Sequence, residues 1–416
     1  GAPREGTSAA LRRQLPAPRL RRAVAGMDTD SSEEEEEQPV RIPLGHRPVV
    51  FALPGSRDLA ARTVAQLRWS QGLCSFKVFD NAEISANVEE TVTNHDVFVV
   101  LTRDDEKEEI NFSLMQLMLF ISALKGESPY RITVIVPCME YARQDRKMQA
   151  GQGIPVQLML RCLKTAGADR FLTVDLHNEA QVAFAPSGTL LDELCARKYL
   201  AHYLRLALGD LQGGSTFVCA TSGGGMSMTR RMAAELCIGF MMVDKMRLKG
   251  GGKGELKVMS SEPPESVQRV IIVDDIFDTC GSLAEVCRAL RAFAPQAKLY
   301  GVASHGYFSA NAPVLIKDLV DNCGLQWLAV TNSVAQTGAL ARFRAVGLED
   351  RLRVVDISRL LAGAMMRIYL GASVNLPKFR DIGPSDYDAV LEVLTSPTVG
   401  LARCLAEEPL PPSIAI

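Results

Sequence analysis

The sequence predicts an α/β protein of two similar lobes, each a mainly parallel sheet flanked by helices. From Arg47 onward, short apolar or β-branched runs alternate with stretches of helical period, which is typical of βαβ units. The ten candidate strands are more than one small sheet usually holds, and the alternation restarts near residue 215. We therefore expect a first lobe over 47–198 and a second lobe over 199–357.

The elements follow from this alternation, strands from the apolar runs and helices from the amphipathic stretches between them. The predicted strands are Pro48–Leu53, Val97–Thr102, Ile132–Cys138, Phe171–Leu176, Thr216–Ala220, Gly239–Val243, Val270–Val273, Leu299–Ser304, Trp327–Thr331 and Val354–Ile357. The predicted helices are Arg57–Trp69, Asn111–Lys125, Val156–Ala166, Leu191–Leu208, Met226–Leu236, Ser282–Phe293 and Ser358–Tyr369. Within the last segment, 358–416, the helix is expected to return to the first lobe, and a tail follows it.

Residues 1–46 are predicted to be a disordered extension. Its first 26 residues carry six arginines and one acid, and Asp28–Glu37 is a solvated acidic run. An Arg-rich, acid-poor start is typical of an organelle transit peptide, and an upstream extension of another kind is the alternative. We expect a cytoplasmic protein, with organelle import as the second interpretation. A second unpatterned stretch, Lys249–Pro264, is predicted to be a mobile loop because of its glycines.

Composition excludes several classes of partner. The 416 residues carry a formal net charge of −2, so no global basic field favours nucleic acid or an acidic membrane surface. No apolar window reaches the length of a membrane span. The ten cysteines are scattered without a zinc-like spacing, which fits a reducing compartment. We expect small molecules or other protein chains as partners, and neither nucleic acid nor membrane.

The most suggestive chemistry follows the apolar run Val270–Val273. Asp274 and Asp275 come directly after it, where ligands bind in open parallel sheets. A turn of small residues, Thr279–Ser282, then leads into a predicted helix, and Ser282 and Glu285 have the spacing of a capping box. Free N–H groups at such a turn suit a phosphate, and the acids can accept hydrogen bonds from sugar hydroxyls. The stretch predicts a sugar-phosphate site, unless the acids merely cap the strand and the helix.

A second stretch, Tyr141-Ala-Arg-Gln-Asp-Arg-Lys147, would on composition alone be a solvated charged loop. However, it resembles the ATP-binding signature of ribose-phosphate diphosphokinases, the synthetases of phosphoribosyl diphosphate (PRPP). Asp274–Ser282 resembles the phosphoribosyl-binding loop that this family shares with type I phosphoribosyltransferases. The resemblance extends from about residue 48 to 380. A base-specific phosphoribosyltransferase would explain Asp274–Ser282 but not Tyr141–Lys147.

The resemblance implies a type I phosphoribosyltransferase-like fold and the conversion of ATP and ribose 5-phosphate to AMP and PRPP with Mg²⁺. It further implies an assembly, either a homo-oligomer (dimer or hexamer) or a hetero-oligomer with a paralogue. ATP-binding residues implied by the family's motifs are Phe79, Asn81, Glu83, Arg143, Gln144 and His177, the first three entering the ATP site of a neighbouring subunit. Metal-binding residues are His177 and Asp175, and catalytic residues are Lys245 and Arg247. Ribose 5-phosphate-binding residues are Asp274, Asp275, Asp278, Thr279, Cys280, Gly281 and Ser282.

Several positions depart from the family's pattern. Ser222 stands where the family has an acid near the magnesium and the ribose, and Ser227 and Met228 stand where it has a basic pair. Met148 replaces the acid that follows the ATP signature. Ser222 and the missing basic pair favour an alternative function, that of a weakly active or non-catalytic regulatory subunit associated with a PRPP synthetase.

Overall fold

The computed structural model describes residues 46–103, 110–211, 214–221, 225–246 and 255–374, with the backbone alone for 244–246 and 255. Five predictions lie wholly or partly outside these residues: the disordered extension over 1–45, the departure at Ser222, the catalytic role of Arg247, the first part of the predicted mobile loop over 249–254 and the tail beyond 374. None of the described helices is both long and apolar enough to cross a membrane.

The first lobe is built on a six-stranded parallel sheet in the order β2-β1-β5-β6-β7-β8. Its inner strands are continuous apolar runs because helices cover both faces of a parallel sheet, as the full burial of β5 illustrates. The strands of this sheet are β1 Pro48–Ala52, β2 Ser70–Gln71, β5 Asp96–Val100, β6 Arg131–Ile135, β7 Arg170–Val174 and β8 Leu190–Leu194. An antiparallel hairpin, β3 Cys74–Val78 and β4 Ile84–Val88, packs on helix α2 (Ile110–Gly126).

The second lobe contains a seven-stranded sheet in the order β11-β10-β9-β12-β13-β14-β15. All its pairings are parallel except that of β10 with β11 at the edge. The strands are β9 Thr216–Ala220, β10 Gly239–Met246, β11 Glu255–Met259, β12 Arg269–Phe277, β13 Lys298–Gly306, β14 Leu325–Thr331 and β15 Leu352–Val355. The two sheets confirm the predicted fold class of two similar α/β lobes.

Helices cover the sheets, and those described are α1 Arg57–Leu67, α2 Ile110–Gly126, α3 Pro155–Ala166, α4 Arg197–Leu208, α5 Met226–Leu236, α6 Gly281–Phe293, α7 Ala312–Cys323, α8 Thr337–Ala345 and α9 Ser358–Tyr369. One buried cluster combines residues of both lobes, among them Val50 of β1 and Val273 of β12. Helix α9 packs against α1, and the Tyr369 ring lies edge-on to Trp69 at 5.4 Å. The two lobes thus share part of their hydrophobic core.

Some elements differ from the prediction. Leu190–Leu194 is a strand, so the predicted helix Leu191–Leu208 begins only at Arg197. The prediction of a mobile loop over Lys249–Pro264 was wrong in its second part, because Glu255–Met259 forms an edge strand that pairs with β10. Short polar strands such as β2 and the β3–β4 hairpin, together with α7 and α8, were not predicted. In these strands, pairing with neighbouring elements outweighs a weak local pattern. Helix α7, by contrast, buries a regular stripe of Ala312, Ile316, Leu319 and Cys323, a helical pattern that the prediction missed.

Candidate active site

The carboxyl ends of both sheets open into one cleft with a volume of about 950 Å³. The first lobe contributes the residues after β6 and β7, including Arg143 and His177. The second contributes the end of β12, the turn that follows it and the first turns of α5. Within each sheet the topology brings these segments together, because parallel strands deliver their carboxyl ends to the same edge. The hydrophobic cluster that the two lobes share joins the two sheets.

Asp274 and Asp275 line the cleft, and each is bonded to a different neighbour. Thr221, directly after β9, donates its hydroxyl to Asp274 Oδ2 at 2.5 Å. His177 of the first lobe bonds Asp275 through Nδ1 at 2.6 Å. Because a carboxylate can only accept, Nδ1 carries the ring proton, and in the neutral imidazole the lone pair is then on Nε2.

The two acids differ in their ionisation. Burial, followed by the adjacent charge of Asp275, raises the pKa of Asp274 to about 7. Burial would also raise the pKa of Asp275, but hydrogen bonds from His177 and Asp274 outweigh it and hold this pKa below its usual range. The hydrogen bond to Asp275 is the main reason that the pKa of His177 is raised. Near neutral pH, Asp275 is therefore the ionised member of the pair and Asp274 is partly protonated.

The turn after β12 is built around Asp278, which accepts hydrogen bonds from Ser309 and from Arg143 Nη1, the latter at 2.6 Å. Cys280, with a left-handed φ of 59°, reverses the chain into α6. The predicted capping box at Ser282 was wrong, since Cys280 is the N-cap residue and makes no side-chain cap hydrogen bond. The first-turn N–H groups are consequently not capped by that side chain, as an anion site requires.

Asp175 connects the lobes. Its Oδ2 accepts hydrogen bonds from Ser304 Oγ at 2.6 Å and from the Ala196 N–H at 3.1 Å, and its carbonyl oxygen contacts His305 Nε2 at 3.1 Å. Asp175 itself has a left-handed φ of 39°. These bonds hold the backbone from which His177 projects two residues later.

Most of the predicted site residues come together in the cleft. Those that line it are Arg143, Asp175, His177, Asp274, Asp275, Asp278, Thr279, Cys280, Gly281 and Ser282. Gln144 lines a neighbouring cavity of about 720 Å³. Phe79, Asn81 and Glu83 lie at the exposed turn of the β3–β4 hairpin, outside the described cleft lining. Lys245 lies in β10, where the structure describes its backbone alone.

The structure adds residues that the sequence analysis did not single out. Thr221, Ser304 and Ser309 bond site aspartates, and Arg231 of α5 lines the cleft. The first three follow or end strands, which is a signal that could have been used. Arg231 lies within a helix of otherwise ordinary period, so no local pattern distinguishes it.

The charge of the cleft fits a phosphate ligand that arrives with a divalent cation. Seven acids and four arginines are among the described lining residues, so a polyphosphate needs additional positive charge there. No group of three His, Cys, Asp or Glu side chains among the described residues could hold a metal by itself.

Paired acids at a strand end, an open helix N-terminus and parallel sheets define an α/β protein of the phosphoribosyl-binding type. Three family models match the chain: the N-terminal domain of ribose phosphate pyrophosphokinase over residues 48–167, the phosphoribosyl transferase domain over 194–307 and the phosphoribosyl synthetase-associated domain over 265–379.

Individual relatives agree. A ribose-phosphate pyrophosphokinase of Staphylococcus saprophyticus is 29% identical over 327 residues, which is 79% of this chain and 95% of the relative. Ribose-phosphate pyrophosphokinase 2 of Schizosaccharomyces pombe is also 29% identical over 327 residues, covering 79% of this chain and 96% of that protein. The crystal structure of phosphoribosylpyrophosphate synthetase from Mycobacterium smegmatis superposes with a TM-score of 0.66 at 28% identity, covering 78% of this chain and all of that chain. The chain belongs to the ribose-phosphate pyrophosphokinase family.

Proposed function

We propose that the protein transfers the β,γ-diphosphoryl group of ATP to the anomeric hydroxyl of ribose 5-phosphate, which yields PRPP and AMP. The observation that carries this proposal is the meeting of two half-sites in one cleft. The turn Thr279–Ser282 offers a sugar-phosphate site, and Arg143 and His177 face it from the loops that resemble the family's ATP-binding motifs. A phosphoribosyltransferase acting on a base would need the first half-site only.

The acids of β12 are suited to the ribose. Asp275 is ionised and can accept hydrogen bonds from the sugar hydroxyls, and Asp274 can exchange a proton near neutral pH. The open N–H groups at the start of α6 suit the 5-phosphate, with the Thr279 and Ser282 hydroxyls beside them. Asp278, Cys280 and Gly281 shape this turn.

ATP and Mg²⁺ would occupy the first-lobe side of the cleft. His177, with the lone pair on Nε2, suits a magnesium ligand, and the hydrogen bonds of Asp175 suit it to orient that histidine. Bound magnesium would align the phosphates and neutralise part of their charge. Arg143 and Gln144 would contact the nucleotide, and the exposed Phe79, Asn81 and Glu83 of a neighbouring subunit would complete the site in an oligomer.

The chemical step forms a bond between the anomeric oxygen and the β-phosphorus. The bond from that phosphorus to the α,β-bridging oxygen breaks, AMP leaves with the electron pair, and the hydroxyl proton passes to solvent. Cationic groups are needed because charge accumulates on the phosphoryl oxygens and on the leaving phosphate. Lys245, in β10, and Arg247, two residues later in the sequence, would supply this positive charge.

The test is AMP release by the purified chain, measured with and without ribose 5-phosphate and Mg²⁺. We expect release to require both, and Lys245→Ala to reduce it at least 100-fold, on the order of removing one preorganised charge-stabilising group. Circular dichroism of the variant should match the unsubstituted chain. Absence of release at every magnesium and phosphate concentration would contradict the proposal.

The alternative function is a regulatory subunit. The observation that favours it is the uncharged start of α5, where Ser227 and Met228 line the cleft in place of a basic pair. Co-purification with an active synthetase, together with no AMP release by the chain alone, would establish this alternative.

A further inference from the structure

An ion pair crosses the cleft between the lobes. Arg231 of α5, in the second lobe, bonds both carboxylate oxygens of Glu179, which begins a 3-10 helix of the first lobe. Both residues line the cleft described above. The pair therefore lies where a substrate must enter or bind.

This ion pair contributes little to the stability of the fold because it is exposed to solvent. The side chains are 50% and 58% exposed, and an exposed ion pair contributes little to the free energy of folding. Arg231 can consequently leave Glu179 at small cost when a stronger acceptor arrives. A guanidinium binds phosphate oxygens with the same bidentate geometry that it uses for a carboxylate.

The position of Arg231 fits a phosphate other than that of the sugar. The first turn of α5 presents Met226, Ser227 and Met228, and Arg231 lies one turn further on the face that carries Ser227. It is thus the cation that the described part of α5 contributes to the cleft lining. Its partner Glu179 lies two residues after His177, which is on the side of the cleft proposed for ATP. The phosphate of the sugar, by contrast, is provided with the N–H groups of its own turn.

We infer that Arg231 binds the polyphosphate chain of the nucleotide, and that Glu179 occupies its guanidinium when no nucleotide is bound. This inference rests on the proposed function. Glu179 acts as a competitor for the same guanidinium, so binding of the nucleotide exchanges one bidentate acceptor for another. The two residues must then have opposite effects on nucleotide affinity.

Titration calorimetry with α,β-methylene ATP and Mg²⁺ tests this, since the methylene bridge blocks transfer and leaves binding measurable. We expect Arg231→Gln to weaken binding at least tenfold and Glu179→Gln to tighten it about threefold. Arg230→Gln is the matched control, because Arg230 is exposed and lies over the Phe240 ring, outside the described cleft lining, so affinity should not change. Affinity for ribose 5-phosphate should be the same in all three variants.

Two results would overturn the inference while the proposed function stands. If the unsubstituted chain binds the nucleotide and Arg231→Gln binds it equally, Arg231 is no phosphate ligand. If Arg231→Gln and Glu179→Gln weaken binding alike, the pair is a clasp between the lobes. A loss of ribose 5-phosphate affinity alone in Arg231→Gln would also overturn the assignment to the nucleotide. Failure of the unsubstituted chain to bind either substrate would overturn the proposed function as well.

Discussion

At the scale of single residues, the site is organised by aspartates that each have a bonded neighbour. Asp274 is bonded by Thr221, Asp275 by His177, and Asp278 by Ser309 and Arg143. Two of these bonds cross from one lobe to the other. A carboxylate that is held in this way can receive a ligand without first having to be ordered.

Asp278→Asn tests this idea for the sugar-phosphate turn. We expect the affinity for ribose 5-phosphate to fall about 10- to 100-fold, as for the loss of a charge-assisted hydrogen bond. Stability should change little because Arg143 is 54% exposed. Titration calorimetry gives the affinity and urea unfolding the stability. The control is Asp318→Asn, which breaks an exposed ion pair with Arg288 outside the described cleft lining. If Asp318→Asn lowers the affinity for ribose 5-phosphate as much as Asp278→Asn does, the prediction is wrong.

At the scale of elements, strand β13 carries Ser304 and His305 to the site and has no room for an added side chain at Gly301. A Cβ atom there would lie 2.3 Å from Leu328 Cδ2 and 3.3 Å from Phe277 Cζ, both in buried side chains. We expect Gly301→Ala to destabilise the protein by about 1–3 kcal/mol through overpacking. Urea unfolding measures this. Gly126→Ala, where an added Cβ at the end of α2 meets no neighbouring element within 4 Å, should not destabilise the protein.

The sequence predicts an element well when the element's own apolar pattern determines it, and poorly when pairing with a distant segment does. Buried runs such as Val97–Val100 and the amphipathic Met226–Leu236 were found because their apolar pattern is strong. The strand Leu190–Leu194, by contrast, runs into a helical pattern, and only its pairing with β7 makes it a strand. In the site, motif residues were found, but the pairing of Arg231 with Glu179 joins residues 52 apart in the chain and has no local signal.

At the scale of the whole molecule, the cleft keeps its shape because the two lobes are joined beneath it. They share one hydrophobic cluster and are linked by polar contacts, among them that of Tyr307 OH with Cys138 Sγ at 3.1 Å. Tyr307 OH also donates to the buried Glu140 at 3.4 Å. The loop that carries the ATP-signature residues is thus attached to the end of β13 by buried groups, one of them an acid.

Glu140 makes the stability of this junction depend on pH. Burial raises its pKa from an ordinary value near 4.5 to about 7, so the folded protein binds a proton that the unfolded chain releases. The stabilisation is complete below pH 4.5 and is lost as pH rises through 7. Between pH 5 and pH 8 we expect the unsubstituted protein to lose roughly 2–3 kcal/mol of unfolding free energy relative to Glu140→Gln, which cannot ionise. Urea unfolding across that range measures the difference. As a control, replacing the exposed Glu262 by Gln should give no such pH-dependent difference. If the difference between the unsubstituted protein and Glu140→Gln instead stays constant with pH, the Glu140 carboxyl is ionised in the folded protein throughout this range, and the prediction is wrong.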